Sequence, residues 1–211
     1  MIEVWGRSNS VNVQKVLWCL GELELPFDRH DAGGLYGKNK EPEFLSRNPV
    51  GLVPLVSDDG FDLWESNTIV RYLCAKYGEG GLWPEDPAAR ALSDKWMDYQ
   101  LGTVFPAFRE TLLGLVRTPP EDRNPETIAA SVKATAETLR VLDAHLEGGE
   151  YVAGETLTTG DIALGSTVYR WLELEIDRPP LPNLEAWHDR LTRRPAYRDH
   201  VMVPFEMERI T

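Results

Sequence analysis

Beyond Tyr77 the chain loses almost every strand signal, and that change constrains the fold more than any other feature. Gly78, Gly80 and Gly81, followed by Pro84 and Pro87, break both the two-residue period of strands and the 3.6-residue period of helices. Residues 1–77 read as one domain, 78–86 as a linker and 87–211 as a second domain, and 211 residues are enough for two small cores that need no disulfides.

In the first of these, Ile2 and Val4 alternate with Glu3 and Trp5 as a short strand, and Gly6 to Asn12 is polar and turn-like. Val13, Val16, Leu17, Leu20 and Leu23 then mark a helix whose last turn Gly21 weakens. Leu25-Pro26-Phe27 opens a second extended segment ending near His30, so the unit is strand, helix, strand and predicts a parallel crossover. A short helix is expected around Pro42 to Leu45, turn chemistry at Asn48-Pro49-Val50-Gly51, and a strand over Leu52 to Val56. Asp58-Asp59-Gly60 predicts a hairpin returning along Phe61 to Trp64, and Ser66 is expected to cap a helix with Ile69, Val70, Leu73 and Tyr77 on its apolar side.

The second part reads as helical throughout. Asp86 caps a helix with Pro87 at its first position and Leu92, Trp96 and Tyr99 as its stripe, and Pro106 should kink it or end its first part. Asn124-Pro125 repeats that start, with Ile128, Val132, Leu139, Leu142 and Leu146 on one face until Gly148-Gly149. Thr158-Thr159-Gly160-Asp161 is a capping box, bracketed by Leu157 and Ile162 as a hydrophobic staple. Asn183 to Leu191 and a turn near Pro195 to Val201 complete the set.

A formal charge of −12 repels phosphate backbones and anionic lipid, so neither nucleic acid nor a membrane surface is an expected partner, although a local basic cluster or helix N-terminus can still hold a small anion. No apolar run approaches the roughly 20 residues of a membrane helix, and Met1-Ile2-Glu3-Val4-Trp5 lacks a leader pattern, which predicts a soluble, cytoplasmic protein. Cys19 and Cys74 lie within apolar-periodic stretches and read as buried thiols of a reducing compartment. No metal site is expected, because His30, His145, His188 and His200 show no paired spacing and no Cys-x-x-Cys occurs. Gly78-Glu79-Gly80-Gly81 follows a helix rather than a strand and does not read as a nucleotide loop.

Three segments carry candidate chemistry. Gly6 to Lys15 spans the hand-over from first strand to first helix, where α/β sheets bind ligands. There Ser10 and Asn12, beside free N–H donors and the positive end of a helix, can stabilise a thiolate; the plain alternative is that one of them only caps the helix. Pro54 begins a strand that the β-β-α order makes internal, where a cis bond is expected and the Val53 backbone could pair with a peptide-like ligand. Glu65-Ser66 opens a helix, offering a carboxylate for an ammonium and an N–H and hydroxyl for a carboxylate; an ordinary cap is the alternative.

These residues resemble the glutathione transferases, closest to bacterial members with Ser/Thr-x-Asn at the first helix. The match runs over almost the whole chain: Ser10-Val11-Asn12 with Lys15, Asn48-Pro49 to Val53-Pro54, Glu65-Ser66-Asn67-Thr68-Ile69 with Tyr72-Leu73, and the Thr158-to-Asp161 box. The resemblance implies an α/β plus all-α protein, a thioredoxin-like N-terminal domain (βαβ-α-ββα) followed by an all-helical one. It further implies that Ser10 activates the glutathione sulfur with help from Asn12, that Val53, next to Pro54, pairs with the cysteinyl backbone, that Glu65 and Ser66 hold the γ-glutamyl amine and carboxylate, and that Asn39 sits near the glycyl end.

Trp5 and Gly6 replace the tyrosine of other members, and Cys19 lies too deep in its helix to act as a catalytic thiol. A small electrophile is expected between the domains, with Trp96, Tyr99, Phe105, Phe108, Arg109, Tyr169 and Trp171 as candidate walls. Glutathione is expected as co-substrate, without a metal, in a homodimer. The competing readings are a glutathione-dependent disulfide or peroxide reductase and a non-catalytic binding protein of the same fold.

Overall fold

The computed structural model describes residues 1–78 and 80–204; Glu79 of the expected linker and residues 205–211 of the expected helical domain lie outside the described residues. Four strands, β1 (Ile2–Trp5), β2 (Phe27–His30), β3 (Leu55–Asp58) and β4 (Phe61–Trp64), form one sheet in the order β2-β1-β3-β4. β1 runs parallel to β2, with Ile2 opposite Phe27, and antiparallel to β3, with Val4 opposite Val56. Asp58 and Phe61 face each other across a two-residue hairpin whose Asp59 and Gly60 both have positive φ, 49° and 86°, the turn that the Asp-Gly pair favours.

β3 starts at Leu55, three residues later than the sequence pattern suggests, because this strand lies between β1 and β4 and Pro54 has no N–H for either neighbour. The Val53–Pro54 bond is cis, as expected. Helices α1 (Val11–Glu22), α2 (Pro42–Arg47) and α3 (Ser66–Tyr77) pack around the sheet. The residue that precedes α3 is Glu65, at φ 70° and ψ 107°; Ser66 is already the first helical residue and not the cap.

Among the described residues six α-helices follow: α4 (Pro87–Tyr99), α5 (Phe105–Val116), α6 (Pro125–His145), α7 (Thr159–Glu173), α8 (Pro182–Leu191) and α9 (Pro195–His200). Pro106 acts as predicted, through a wider turn: Gln100–Val104 is π-helical, and the Phe105 N–H bonds to the Gln100 carbonyl five residues back, so α4 and α5 join around a proline that cannot donate. The Asp86 and Asn124 side chains accept from Ala89 N–H at 2.9 Å and Thr127 N–H at 3.0 Å, the two expected caps.

Leu92 departs from the expected stripe, being 48% exposed, while Ser93 is buried in its stead. The Ser93 hydroxyl meets Thr159 Oγ1 and accepts from Gly160 N–H, both at 2.8 Å, and a Cβ on Gly160 would fall 2.9 Å from the Ser93 carbonyl. Close approach of α4 and α7 thus needs small residues at the contact, and it rotates Leu92 outward.

The core runs continuously between the two parts through α1 and α7. Val13, Val16, Leu17, Trp18 and Leu20 of α1 are buried, and Gly165 of α7 leaves room for the Trp18 ring, which a Cβ there would meet at 2.7 Å. Cys19 and Cys74 are buried and free, as expected, with their sulfurs 3.5 Å apart between α1 and α3. That contact and burial push the Cys19 thiol well above its ordinary pKa, which makes it inert.

Candidate active site

The strand-to-helix hand-over is built by close backbone contact. Gly6 N–H bonds to the His30 carbonyl at 2.9 Å and Arg7 N–H to the Ala32 carbonyl at 3.0 Å, which extends the β1–β2 pairing beyond the strand ends. A Cβ on Gly6 would lie 2.4 Å from Val13, so α1 can turn back over the loop only at a glycine. Arg170 of α7 reaches across and donates to the Asn9 carbonyl at 2.7 Å and to Gln14 of α1. The helical part therefore holds the segment just before Ser10.

Ser10 takes extended backbone (φ −84°, ψ 126°) at the start of α1 and is 8% exposed. Its carbonyl accepts the Gln14 N–H at 2.9 Å, yet its hydroxyl makes no capping bond. Two residues on, Asn12 Oδ1 accepts from the Ser66 hydroxyl at 3.3 Å, which links the N-termini of α1 and α3. Glu65, beside Ser66, carries a positive φ outside the small left-handed region that ordinary residues tolerate, a conformation that the surrounding structure has to hold.

Beneath them, Lys15 is 1% exposed and donates to Asn67 Oδ1 at 3.1 Å and Gln100 Oε1 at 2.8 Å. It thereby connects α1, α3 and the π-helical turn. Burial lowers its pKa to about 7, against the pull of Glu65 in the other direction.

A cleft of about 510 Å³ joins these parts. Ser10, Asn12, Asn39, Val53, Pro54, Glu65 and Ser66 all line it on the sheet side, and Phe105 and Arg109 line it from α5. The loop residues are fixed: Asn39 Nδ2 donates to the Gly51 carbonyl at 2.8 Å, and Asn48 donates to the Leu52 carbonyl at 2.7 Å while accepting from Val50 N–H. Gly33, at φ 77°, lies so close to Val53 that a Cβ would come within 3.1 Å of it.

Five of the seven expected wall residues are elsewhere. Tyr99 packs edge-on against Trp96 and donates its hydroxyl to the Thr138 carbonyl of α6 at 3.1 Å, outside the cleft. Trp171 is 1% exposed and packs edge-on against Phe108, both within the core. Trp96 and Tyr169 are buried as well. A helical domain buries most of its aromatics, so residue type alone does not separate cleft from core.

Conversely, Arg7, Leu112, Leu113 and Arg117 line the cleft without having been singled out. For the residues of α5 and its C-terminal cap a signal existed: Phe105, Arg109, Leu112, Leu113 and Arg117 follow the spacing of one helical face. Arg7, in a polar loop, had none.

A four-stranded mixed sheet is thus joined to an all-helical part across a cleft. The family models described as glutathione S-transferase N-terminal domain and C-terminal domain match residues 1–75 and 93–195. The chain belongs to the glutathione S-transferase family and is an enzyme of that family.

It is 48% identical over 206 residues to Glutathione S-transferase GstB of Escherichia coli (strain K12), covering 97% of this chain and 99% of that one. Its structure is similar to the theta class glutathione S-transferase of Xanthomonas axonopodis pv. citri with glutathione bound, at a TM-score of 0.94 and 45% identity over 97% of this chain and 98% of that one. Against the apo form of that protein, over the same shares of the chains, the TM-score is 0.84 and the identity 41%.

Proposed function

We propose that this chain conjugates the thiolate of glutathione to small hydrophobic electrophiles, with Ser10 as the donor that stabilises the sulfur. The observation that carries this reading is a buried hydroxyl at the start of α1 that caps nothing, facing a cleft shared with the open start of α3. A hydrogen-bond donor beside the positive end of a helix favours thiolate over thiol and lowers the pKa of a bound thiol toward neutrality. Asn12, bonded to Ser66, orients the two helix starts toward one ligand. The similarity to a relative with glutathione bound supports the choice of ligand.

In this reading the Val53 backbone, ahead of Pro54, pairs with the cysteinyl unit, Glu65 holds the γ-glutamyl ammonium, and Ser66 with the free N–H groups of the first turn of α3 holds its carboxylate. Asn39 lies toward the glycyl end and acts there while its amide secures the Gly51 carbonyl. Residues 1–77 form the glutathione-binding domain, and residues from 87 onward supply Phe105 and Arg109 to the second substrate. In the reaction the sulfur lone pair forms a bond to the electrophilic carbon and the leaving group departs with its electron pair.

The protein acts as a homodimer in a cytoplasmic, reducing setting. Exposed Phe61 on β4 and exposed Leu92 and Leu101 near the α4 face support the first, and two unpaired buried thiols support the second. Among the described residues no helix is long and apolar enough to cross a membrane.

The test is a glutathione titration that follows thiolate absorbance against pH in the native chain and in Ser10→Ala. A thiolate band at neutral pH that weakens in the variant supports the mechanism. Saturable binding with no such band in either protein overturns Ser10 as the activator. Sedimentation of the native chain as a monomer would remove the dimer.

A further inference from the structure

We propose that the electrophile itself carries an anionic group, a carboxylate or sulfonate on an apolar body, and that Arg109 of α5 and Arg117, which follows its last turn, hold it. This rests on the transferase reading and names the substrate class of the same cleft. α5 and its C-terminal cap deliver Phe105, Arg109, Leu112, Leu113 and Arg117 to the cleft, so two guanidinium groups alternate with apolar side chains along one wall. Across from it, Arg7 adds a third cation. Glu65 is the one carboxylate among the described residues that line the cleft, whereas the chain as a whole has a formal charge of −12. Positive charge is thus concentrated here against the balance of the molecule.

The concentration extends behind the wall. Burial lowers the pKa of Arg170 to about 10, with Arg7 and Arg117 both adding to the shift, so three guanidinium groups share one region. Among the described residues nothing hydrogen-bonds to or ion-pairs with the Arg117 guanidinium. Arg109 pairs with Glu110, its neighbour in sequence, and both side chains are exposed. Such a pair is weak in water and yields readily to a carboxylate that can take the guanidinium fork in two parallel bonds. The two carboxylates of glutathione belong to the opposite wall, at α3 and the loops, which leaves α5 for the second substrate.

The reaction that reads this out is displacement of chloride from 4-chloro-3-nitrobenzoate, compared with its neutral amide, 4-chloro-3-nitrobenzamide. In both, the glutathione sulfur bonds to the ring carbon that carried chlorine, and chloride leaves with the bond pair; no oxidant or reductant takes part. Each kcat/KM is divided by the uncatalysed rate, because the two rings differ in intrinsic reactivity.

The native enzyme is expected to favour the acid by about tenfold, the size of one well-formed charge-assisted bond. In Arg109→Gln combined with Arg117→Gln the ratio should fall toward one, with the KM for glutathione within about twofold of native and the native preference eroded by salt. A native ratio at or below one overturns the proposal. So does a variant that raises the KM for glutathione and leaves the ratio intact, since the arginines would then serve glutathione.

Calorimetric binding of the two conjugates, S-(4-carboxy-2-nitrophenyl)glutathione and its carboxamide, separates the two levels. If neither ring is turned over but the acid conjugate binds tighter, the anion site stands and the transferase reading fails. Equal binding of the conjugates removes the anion site.

Discussion

Helix α7 opens on a carboxylate that collects four donors, whereas α1 and α3 open with no side-chain cap. At α7, Asp161 accepts from the N–H groups of Thr158 and Val152 at 2.9 and 3.0 Å, the Thr158 hydroxyl at 3.0 Å and the Trp187 indole at 2.9 Å. At α1, the Ser10 hydroxyl is uncommitted; at α3, Glu65 takes an unfavourable backbone conformation and offers no cap. Both kinds of start leave the first N–H groups of a helix to be satisfied, and they differ in what satisfies them. Donors consumed inside the protein stabilise the fold, and donors left facing a cleft are available to an anion.

The largest effect should come from closing the comparison on the α7 side. Asp161→Ala leaves the Val152 and Thr158 N–H groups and the Trp187 indole without an acceptor and should cost about 4 kcal/mol of stability in urea unfolding. A loss below about 1 kcal/mol would show that this network is not what secures the helix. Ser10→Ala should do the reverse: a stability change within about 0.5 kcal/mol and a fall of about 100-fold in kcat/KM for glutathione conjugation. Comparable losses of stability in both variants would erase the distinction.

Beneath the open starts, Lys15 supplies a pH test. Its folded pKa of about 7 lies below the usual 10.5, so between those values the unfolded chain binds the proton that the folded chain releases. This group therefore makes stability rise with pH across that window, by up to about 1.4 kcal/mol per unit, and contributes no slope below it. Lys15→Met should flatten the rise when urea midpoints of the two proteins are compared from pH 7 to 9. Parallel curves would mean that Lys15 titrates as an ordinary lysine.

The smallest expected change tests the strained start of α3. Glu65→Gly should add about 1 kcal/mol of stability by removing the cost of a positive φ, and should raise the KM for glutathione by about tenfold through loss of the carboxylate. A variant that is less stable and binds equally well would show that Glu65 is structural.

Legibility followed how local each feature is. The Asp59-Gly60 hairpin, the Asp86 and Asn124 starts, the Thr158-to-Asp161 box and the break at Pro106 were all readable, because each depends on side chains within a few residues of the backbone they satisfy. Ser10, Asn12, Val53, Pro54, Glu65 and Ser66 of the cleft were also readable, since they lie at strand ends and helix starts that the local pattern marks. Helix rotation was not. Leu92 and Ser93 exchange roles at the α4–α7 contact, and Tyr99 and Trp171 face α6 and Phe108 instead of a ligand. The start of β3 shifted because Pro54 has no N–H to give a neighbouring strand, which the alternation of apolar residues over Leu52 to Val56 does not register.

What the sequence alone determined, then, is the order of elements, the chemistry of their ends and the family to which they belong. The tertiary structure decided which of those ends meet. Cys19 and Cys74 come within 3.5 Å, Lys15 joins Asn67 to Gln100, Arg170 grips the Asn9 carbonyl, and Arg7 shares a cleft with Arg109 and Arg117. The reason is physical: caps and turns are settled by bonds within a few residues, whereas the meeting of α1, α3, α5 and α7 is settled by how buried volumes fit. The space left by Gly165 for Trp18 and by Gly160 for Ser93 can be read only once the helices are packed.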